Sequence, residues 1–107
     1  MHISELQMRV HETAIEHGWW DQGERNFGEM IALMHSELSE ALEAWRNSRT
    51  SYDFREGKAE GWAVELIDCI IRILDFLAFY GIDAGLLLQQ KDLYNTARPY
   101  RHGGKRI

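Results

Sequence analysis

The chain has 107 residues, a net charge of −5 and one cysteine, and each of these values excludes a class of protein. The length suits a single domain over residues 1–107 with a core of its own. The negative charge argues against a nucleic-acid binder. The lone Cys69 excludes an internal disulfide, and no apolar stretch approaches the roughly 20 residues that a membrane span needs. Since no secretory signal pattern follows Met1, we expect a cytoplasmic protein without a membrane contact.

The first half of the chain predicts two helices. The first, at about residues 4–18, begins where Ser4 and Gln7 have the spacing of a capping box. The second, at about residues 27–47, follows Asn26, a good N-cap. Apolar residues recur along it at spacings of three and four, which is typical of an amphipathic helix.

Two further helices follow a polar connection. One spans about residues 59–80, and its few polar side chains fall within an arc of about 80°, which predicts a helix surrounded by others. The last spans about residues 83–98 and ends before Pro99. Four helices without an alternating strand pattern predict an all-α fold, an antiparallel four-helix bundle-like domain with no strand. The polar side chains of the third helix are Glu65, Asp68, Arg72 and Asp75.

Two acidic pairs lie on the second and third predicted helices. Glu37 and Glu40 are three residues apart, as are Glu65 and Asp68, so each pair shares one face of its helix. Like charges at this spacing repel, and a divalent cation such as Mg²⁺, which prefers oxygen ligands, would relieve the repulsion. Other interpretations stay open, because solvated acidic faces are common and Arg72 follows Asp68 at ion-pair spacing.

Basic residues gather at the C-terminal end, after an acidic body. Lys91, Asn95 and Arg98 are spaced i, i+4, i+7 and line one face of the last helix, and Lys105 lies in a glycine-containing basic segment beyond Pro99. Such side chains suit phosphate oxygens, with arginine as a fork and lysine as a point charge. A frayed, solvated end accounts for the same pattern.

Taken together, these motifs resemble those of the MazG-like, all-α nucleoside triphosphate pyrophosphohydrolases. The two acidic pairs, with 24 residues between them, resemble the E-x-x-E … E-x-x-D signature of that family, and the likeness continues from Lys91 to Lys105. The resemblance implies Mg²⁺, with Mn²⁺ as a substitute ion. It implies hydrolysis of a (deoxy)nucleoside triphosphate between its α and β phosphates, and a homodimer or homotetramer.

The resemblance also implies a role for each motif residue. One departure is visible, because many members of the family carry an acid just before the first pair, where this chain has Ser36. The number of ions and the residue that activates water therefore stay open. The competing hypothesis is a non-enzymatic helical interaction module with a solvated acidic face. The expected metal ligands and catalytic residues are Glu37, Glu40, Glu65 and Asp68. The expected substrate contacts are Lys91, Asn95, Arg98 and Lys105, with Trp20, Trp19 or Trp62 to stack on the base.

Overall fold

The computed structural model describes residues 2–99, in which four helices and two short strands are present. In chain order these are α1 (Ile3–Glu16), α2 (Phe27–Asn47), β1 (Asp53–Arg55), β2 (Lys58–Glu60), α3 (Trp62–Phe79) and α4 (Ala84–Thr96). The four predicted helices and the mostly helical fold class are confirmed, while the bundle arrangement stays a prediction. Among the described residues, no helix combines the length and apolarity that crossing a membrane requires.

Two helices begin with side-chain caps at their N-termini. Asn26, the predicted N-cap of α2, accepts a hydrogen bond from Glu29 N at 2.9 Å. Asp83 precedes α4 and accepts from Leu86 N at 3.1 Å. Each cap satisfies a backbone N–H that has no partner within its helix, which fixes where the helix starts.

The capping-box prediction for α1 is wrong, because both side chains of the pattern reach other elements. Ser4 Oγ donates to Asp83 Oδ1 at 2.6 Å. The buried Gln7 amide donates to the Leu74 and Ile82 carbonyls at 3.1 and 2.9 Å, and it accepts the first backbone N–H of α4. These bonds fix the start of α4 against α1 and satisfy a buried amide from two elements.

α3 lies at the centre of the fold, where it packs against α1, α2 and α4. The core forms around Trp20, Met30 and Phe76, of which Met30 is only 2% exposed. The prediction of a helix surrounded by others holds for part of its circumference. Another side of α3 is open among the described residues, and its exposed apolar side chains include Leu66, Ile70 and Ile73.

The prediction of no strand is wrong, because β1 and β2 form an antiparallel hairpin. Residues expected to begin the third helix belong to β2 instead, and α3 starts after Gly61. Glu56 and Gly57 make the turn with φ angles of 52° and 79°, the backbone of a two-residue hairpin turn. Strands of three mostly exposed residues are too short to show an alternating pattern in the sequence.

Candidate metal centre

α2 and α3 run antiparallel and bring both acidic pairs to one place. Facing residues run from Trp45 beside Trp62, with ring centroids 5.8 Å apart, to Met30 beside Phe76 in the core. The acidic pairs lie between these two ends. Because a spacing of three keeps each pair on one helix face, the two pairs meet across the seam between the helices.

Three of the four predicted acids form a compact group, the acidic group. One carboxylate oxygen from each of Glu37, Glu65 and Asp68 lies within 4.8 Å of those from the other two. Glu37 is buried, and the other two are half-buried. Glu40 is exposed and stands at the margin, where its negative charge adds to the effect of burial in raising the pKa of Glu65. Ser36 adds nothing to the group, since its hydroxyl donates to a carbonyl of its own helix.

The crowding of carboxylates changes their affinity for protons. Burial raises the pKa of the Glu65 carboxyl above its ordinary value, and the neighbouring negative charges, Glu40 first, raise it further. Burial and the charge of Glu37 raise the pKa of Asp68, while Arg72 acts in the opposite direction. Both acids hold their protons more readily than isolated carboxyls do, because the protein compensates their ionised forms poorly.

Arg72 is the cation that the protein itself places beside the acidic group. Its Nε donates to Glu37 Oε1 at 2.7 Å, and the two side chains are 30% and 9% exposed. Within residues 2–99 the ion pair suggested by the spacing of Arg72 and Asp68 does not form, because the guanidinium bonds across the helix interface instead. One arginine against four carboxylates leaves the seam with excess negative charge.

The donor atoms of the acidic group suit a hard divalent cation. All are carboxylate oxygens, which Mg²⁺ and Mn²⁺ prefer. Around an octahedral Mg²⁺ with bonds of about 2.1 Å, ligand oxygens are about 3 to 4.2 Å apart. The three oxygens all lie within 4.8 Å of one another, so each pair would have to approach by at most about 2 Å to reach that geometry. Exposed acidic groups are common without an ion, and what distinguishes this one is its partial burial and the raised pKa of two members.

A cavity of about 320 Å³ adjoins the acidic group, between α1, the turn after it and the α2–α3 seam. Its walls carry two acids of the group and two arginines, Arg25 and Arg72. A cavity with basic, acidic and aromatic walls suits a ligand that has an anionic part and a planar part. Other side chains that line it include Val10, Thr13, His17, Trp19, Met30 and Asp75.

The sequence predicts Trp20 as a substrate contact, but the structure places this side chain in the core. It is 9% exposed, its ring stacks on Phe79 with centroids 4.2 Å apart, and its Nε1 donates to Asp75 Oδ1 at 2.9 Å. The neighbouring Trp19 is 52% exposed and lines the cavity, with the Arg25 guanidinium 5.6 Å above its ring. Trp19 is therefore the tryptophan with a ring that a ligand in the cavity can contact.

Asp75, which belongs to no predicted motif, is a second site of buried charge on α3. The Asp75 side chain is 12% exposed, and its Oδ1 accepts from Trp20 Nε1 and lies 2.7 Å from His11 Nδ1, a ring nitrogen placed to donate to it. These bonds connect α3 to α1 and to the turn that follows α1. The signal in the sequence is the narrow polar stripe of α3, in which Asp75 is the last member.

The predicted phosphate contacts at the C-terminal end are not brought to the acidic group by the described part of the chain, and α4 ends at Thr96, before Arg98. Lys91, Asn95 and Arg98 do not line the cavity, and α4 has no buried residue. Lys91 Nζ and the Arg98 guanidinium lie 4.8 and 5.5 Å from the Tyr94 ring centroid. Lys105, the remaining predicted phosphate contact, lies outside the described residues.

Comparison of the chain with protein-family models, with curated proteins and with solved structures finds no match. The resemblance to the MazG-like hydrolases therefore depends on the motifs alone, and membership of that family stays a prediction. The observations available for a functional proposal are the acidic group, the cavity beside it and the arginines that line this cavity.

Proposed function

We propose that this chain is a Mg²⁺-dependent hydrolase that cleaves a (deoxy)nucleoside triphosphate between its α and β phosphates, giving the monophosphate and pyrophosphate. The observation that carries the proposal is the meeting of Glu37, Glu65 and Asp68 oxygens within 4.8 Å at the wall of an arginine-lined cavity. The motif resemblance supplies the reaction class. Mn²⁺ is the substitute ion, and the proposed role is house-cleaning of the cytoplasmic nucleotide pool.

The cavity has a suitable wall for each part of such a substrate. The exposed ring of Trp19 suits a nucleobase, since stacking of a base on an aromatic ring is worth about 1–3 kcal/mol. Arg25 and Arg72 supply the positive charge and the forked donors that phosphate oxygens prefer. The acidic group and a triphosphate repel each other, so the two can share the cavity only with a cation between them.

The proposed reaction needs control of charge and an acceptor for one proton. When bound, Mg²⁺ neutralises phosphate oxygens and makes water more acidic. The water oxygen bonds to the α-phosphorus while the bond from that phosphorus to the α–β bridging oxygen breaks, and pyrophosphate leaves with the electron pair. A carboxylate of the acidic group accepts the proton of the water, and the arginines stabilise the charge on the leaving pyrophosphate.

Product analysis tests the reaction. The purified chain is incubated with Mg²⁺ and a panel of canonical and modified (d)NTPs, and the products are separated by anion exchange. With at least one substrate we expect equal amounts of monophosphate and pyrophosphate, and no products once the metal is chelated. Diphosphate with inorganic phosphate as products, or no cleavage across the panel, would contradict the proposal.

The partner we propose is a second copy of the chain, in a homodimer or homotetramer that completes a four-helix bundle from two α2–α3 pairs. Each helix of the pair exposes apolar side chains at i, i+4, i+7 spacing, on a side other than that of the acids. Such adjoining rows are unfavourable in water, and a second copy would cover them. The rows are Leu38, Leu42 and Trp45 on α2, and Leu66, Ile70 and Ile73 on α3.

Sedimentation velocity tests this assembly. We expect the wild type to sediment as a dimer or tetramer and Ile70→Glu as a monomer, because a charge in the middle of the row prevents its burial. Leu88→Glu changes an exposed leucine of α4 and serves as the control, which should keep the wild-type state. An assembly would also give the α4 of a neighbour a route to the cavity, which the proposed phosphate contacts Lys91, Asn95, Arg98 and Lys105 need.

The second candidate is a non-enzymatic helical interaction module, which the exposed apolar rows favour. In that case the acids are a solvated face, and the apolar rows bind another protein. Such a module binds no divalent cation, so Mg²⁺ would leave its thermal stability unchanged with or without nucleotide. The two functions therefore differ in one measurement that needs no substrate.

A further inference from the structure

Glu37 is the buried member of the acidic group, and Arg72 supplies its hydrogen bond. The distance from Arg72 Nε to Glu37 Oε1 is 2.7 Å, and only 9% of the glutamate side chain is exposed. A buried carboxylate that loses its partner is strongly destabilising. In the metal-free protein Arg72 therefore compensates the charge that a bound cation would otherwise compensate.

The bond leaves most of the guanidinium unused. A guanidinium carries five N–H donors, and the contact with Glu37 uses Nε. Among residues 2–99 the two terminal nitrogens of Arg72 have no hydrogen-bond acceptor. The side chain is 30% exposed and lines the cavity beside Asp68, so its unused donors are open to a ligand there.

We propose that Arg72 is a built-in counter-ion, which competes with the divalent cation for Glu37 and turns to a substrate phosphate once the cation is bound. The inference rests on the function proposed above. Two cations at one carboxylate repel each other, so an ion on Glu37 weakens the bond to Arg72. The guanidinium can then donate to phosphate oxygens through its terminal nitrogens, the geometry in which arginine binds phosphate best.

A counter-ion and an ordinary structural ion pair predict opposite effects of replacing Arg72 on the affinity for the metal alone. If Arg72 only held Glu37 in place as a ligand, replacing Arg72 would weaken metal binding in every state of the protein. A counter-ion opposes the metal when no nucleotide is present and supports the complex when nucleotide is present. Replacing Arg72 should therefore tighten the binding of the metal alone and weaken the binding of the metal with nucleotide.

The direction of this change in affinity is tested by Mn²⁺ binding. The electron paramagnetic resonance signal of the unbound ion measures that binding. In buffer at about pH 8 we expect Arg72→Gln to bind Mn²⁺ about two- to fivefold more tightly than the wild type, the range for loss of one competing ion pair. Arg46→Gln removes the same charge from an exposed pair with Glu43 on α2 and should stay within about twofold of the wild type. Circular dichroism confirms that each variant is folded.

The second part of the experiment adds a non-hydrolysable α,β-methylene triphosphate. The affinity of Arg72→Gln for this analogue with Mn²⁺ should fall about tenfold or more, because a charge-assisted contact to phosphate is lost. Mn²⁺ binding to Arg72→Gln that equals or is weaker than that of the wild type would overturn the counter-ion role and leave the proposed function intact. A wild type that binds no Mn²⁺ would overturn the proposed function itself.

A measurement on the wild type keeps the inference testable if Arg72→Gln fails to fold. The ¹⁵Nε–¹Hε resonance of Arg72, assigned by its loss in Arg72→Lys, reports the bond to Glu37. We expect it to move upfield in the proton dimension on saturation with Mg²⁺, as the bond to the carboxylate lengthens. A resonance that does not move while the metal binds would contradict the competition.

Discussion

The two halves of α3 hold negative charge in opposite ways. In the C-terminal half, Asp75 is buried with donors from Trp20 and His11 at 2.9 and 2.7 Å. In the N-terminal half, Glu65 and Asp68 lie among further carboxylates, and Arg72 bonds to α2 beside them. The protein satisfies the first carboxylate from its own side chains. It leaves the second set short of positive charge.

This difference distinguishes a carboxylate that the protein compensates from a group of carboxylates on the same helix that it does not. Burial alone does not distinguish them, since Asp75 is more buried than Glu65 and Asp68. The distinguishing property is compensation, because a carboxylate with protein donors gains nothing from an ion, whereas a crowded group does. Burial is the first cause of the raised pKa of Glu65 and of Asp68, and the neighbouring negative charges, which too little positive charge offsets, are the second.

The largest contrast is expected in catalysis. Asp68→Asn should lower kcat at least about 100-fold, because loss of groups that only support metal ligands already costs 10- to 100-fold. Asp92→Asn removes the same charge from the exposed surface of α4 and should leave kcat within about twofold. Steady-state pyrophosphate release measures both. An Asp68→Asn enzyme with wild-type kcat would remove this residue from the site.

The free energy of unfolding should depend more on Asp75 than on Asp68. Asp75→Asn should lower the free energy of unfolding by about 1–3 kcal/mol, because a neutral amide oxygen accepts weaker hydrogen bonds from His11 and Trp20 than the charged carboxylate does. Asp68→Asn should raise it by at most about 1 kcal/mol in the absence of metal, since solvent screens part of the relieved repulsion. Urea unfolding in a chelating buffer measures both. Equal destabilisation by the two substitutions would abolish the distinction between the halves of α3.

The smallest expected effect is a pH dependence of stability. Because the pKa of Glu65 is raised in the folded state, the folded protein binds more protons than the unfolded chain at pH values above the ordinary value of 4.5. The metal-free protein should therefore become less stable as pH rises through the raised pKa and more stable as pH falls again. The pKa of Asp83 is lowered in the folded state, so this residue changes stability with pH only below its ordinary value of 3.8.

Thermal unfolding in a chelating buffer between about pH 5 and pH 7.5 measures this slope. Glu65→Gln is the matched variant, and its melting temperature should fall less than that of the wild type as pH rises over this range. If the two proteins show the same slope, burial and the neighbouring charges do not raise the pKa of Glu65 as described.

The helices of this fold could be predicted from the sequence because their signals are local. Apolar spacing located α2 and α3, and Asn26 marked the start of α2 through its own side chain. The hairpin was missed because its strands have three residues each and most of these residues are exposed. The roles of Ser4 and Gln7 were missed because their partners lie at Leu74 to Ala84, a distance along the chain that no local pattern reports.

In the candidate site, too, local features could be predicted from the sequence and tertiary contacts could not. The i, i+3 pairs placed the acids on two helices, and the seam brings oxygens of three of them, Glu37, Glu65 and Asp68, within 4.8 Å of one another. The sequence could not show which of Trp19 and Trp20 is exposed to a ligand, because the two are neighbours in one turn. Trp20 is buried because its Nε1 donates to Asp75, a contact that only the tertiary structure reveals. The partner of Arg72 also depends on tertiary packing. Spacing along the chain favours an ion pair with Asp68, but the guanidinium contacts Glu37 on α2.

The most direct test of the central claim, that the acidic group holds a divalent cation, is the melting temperature with and without Mg²⁺. At a Mg²⁺ concentration well above its dissociation constant, we predict that the wild type melts about 4 °C or more above its value in chelating buffer. The double variant Glu65→Gln, Asp68→Asn should melt at the same temperature in both buffers. A wild type that Mg²⁺ does not stabilise, or a double variant stabilised equally, would contradict the account.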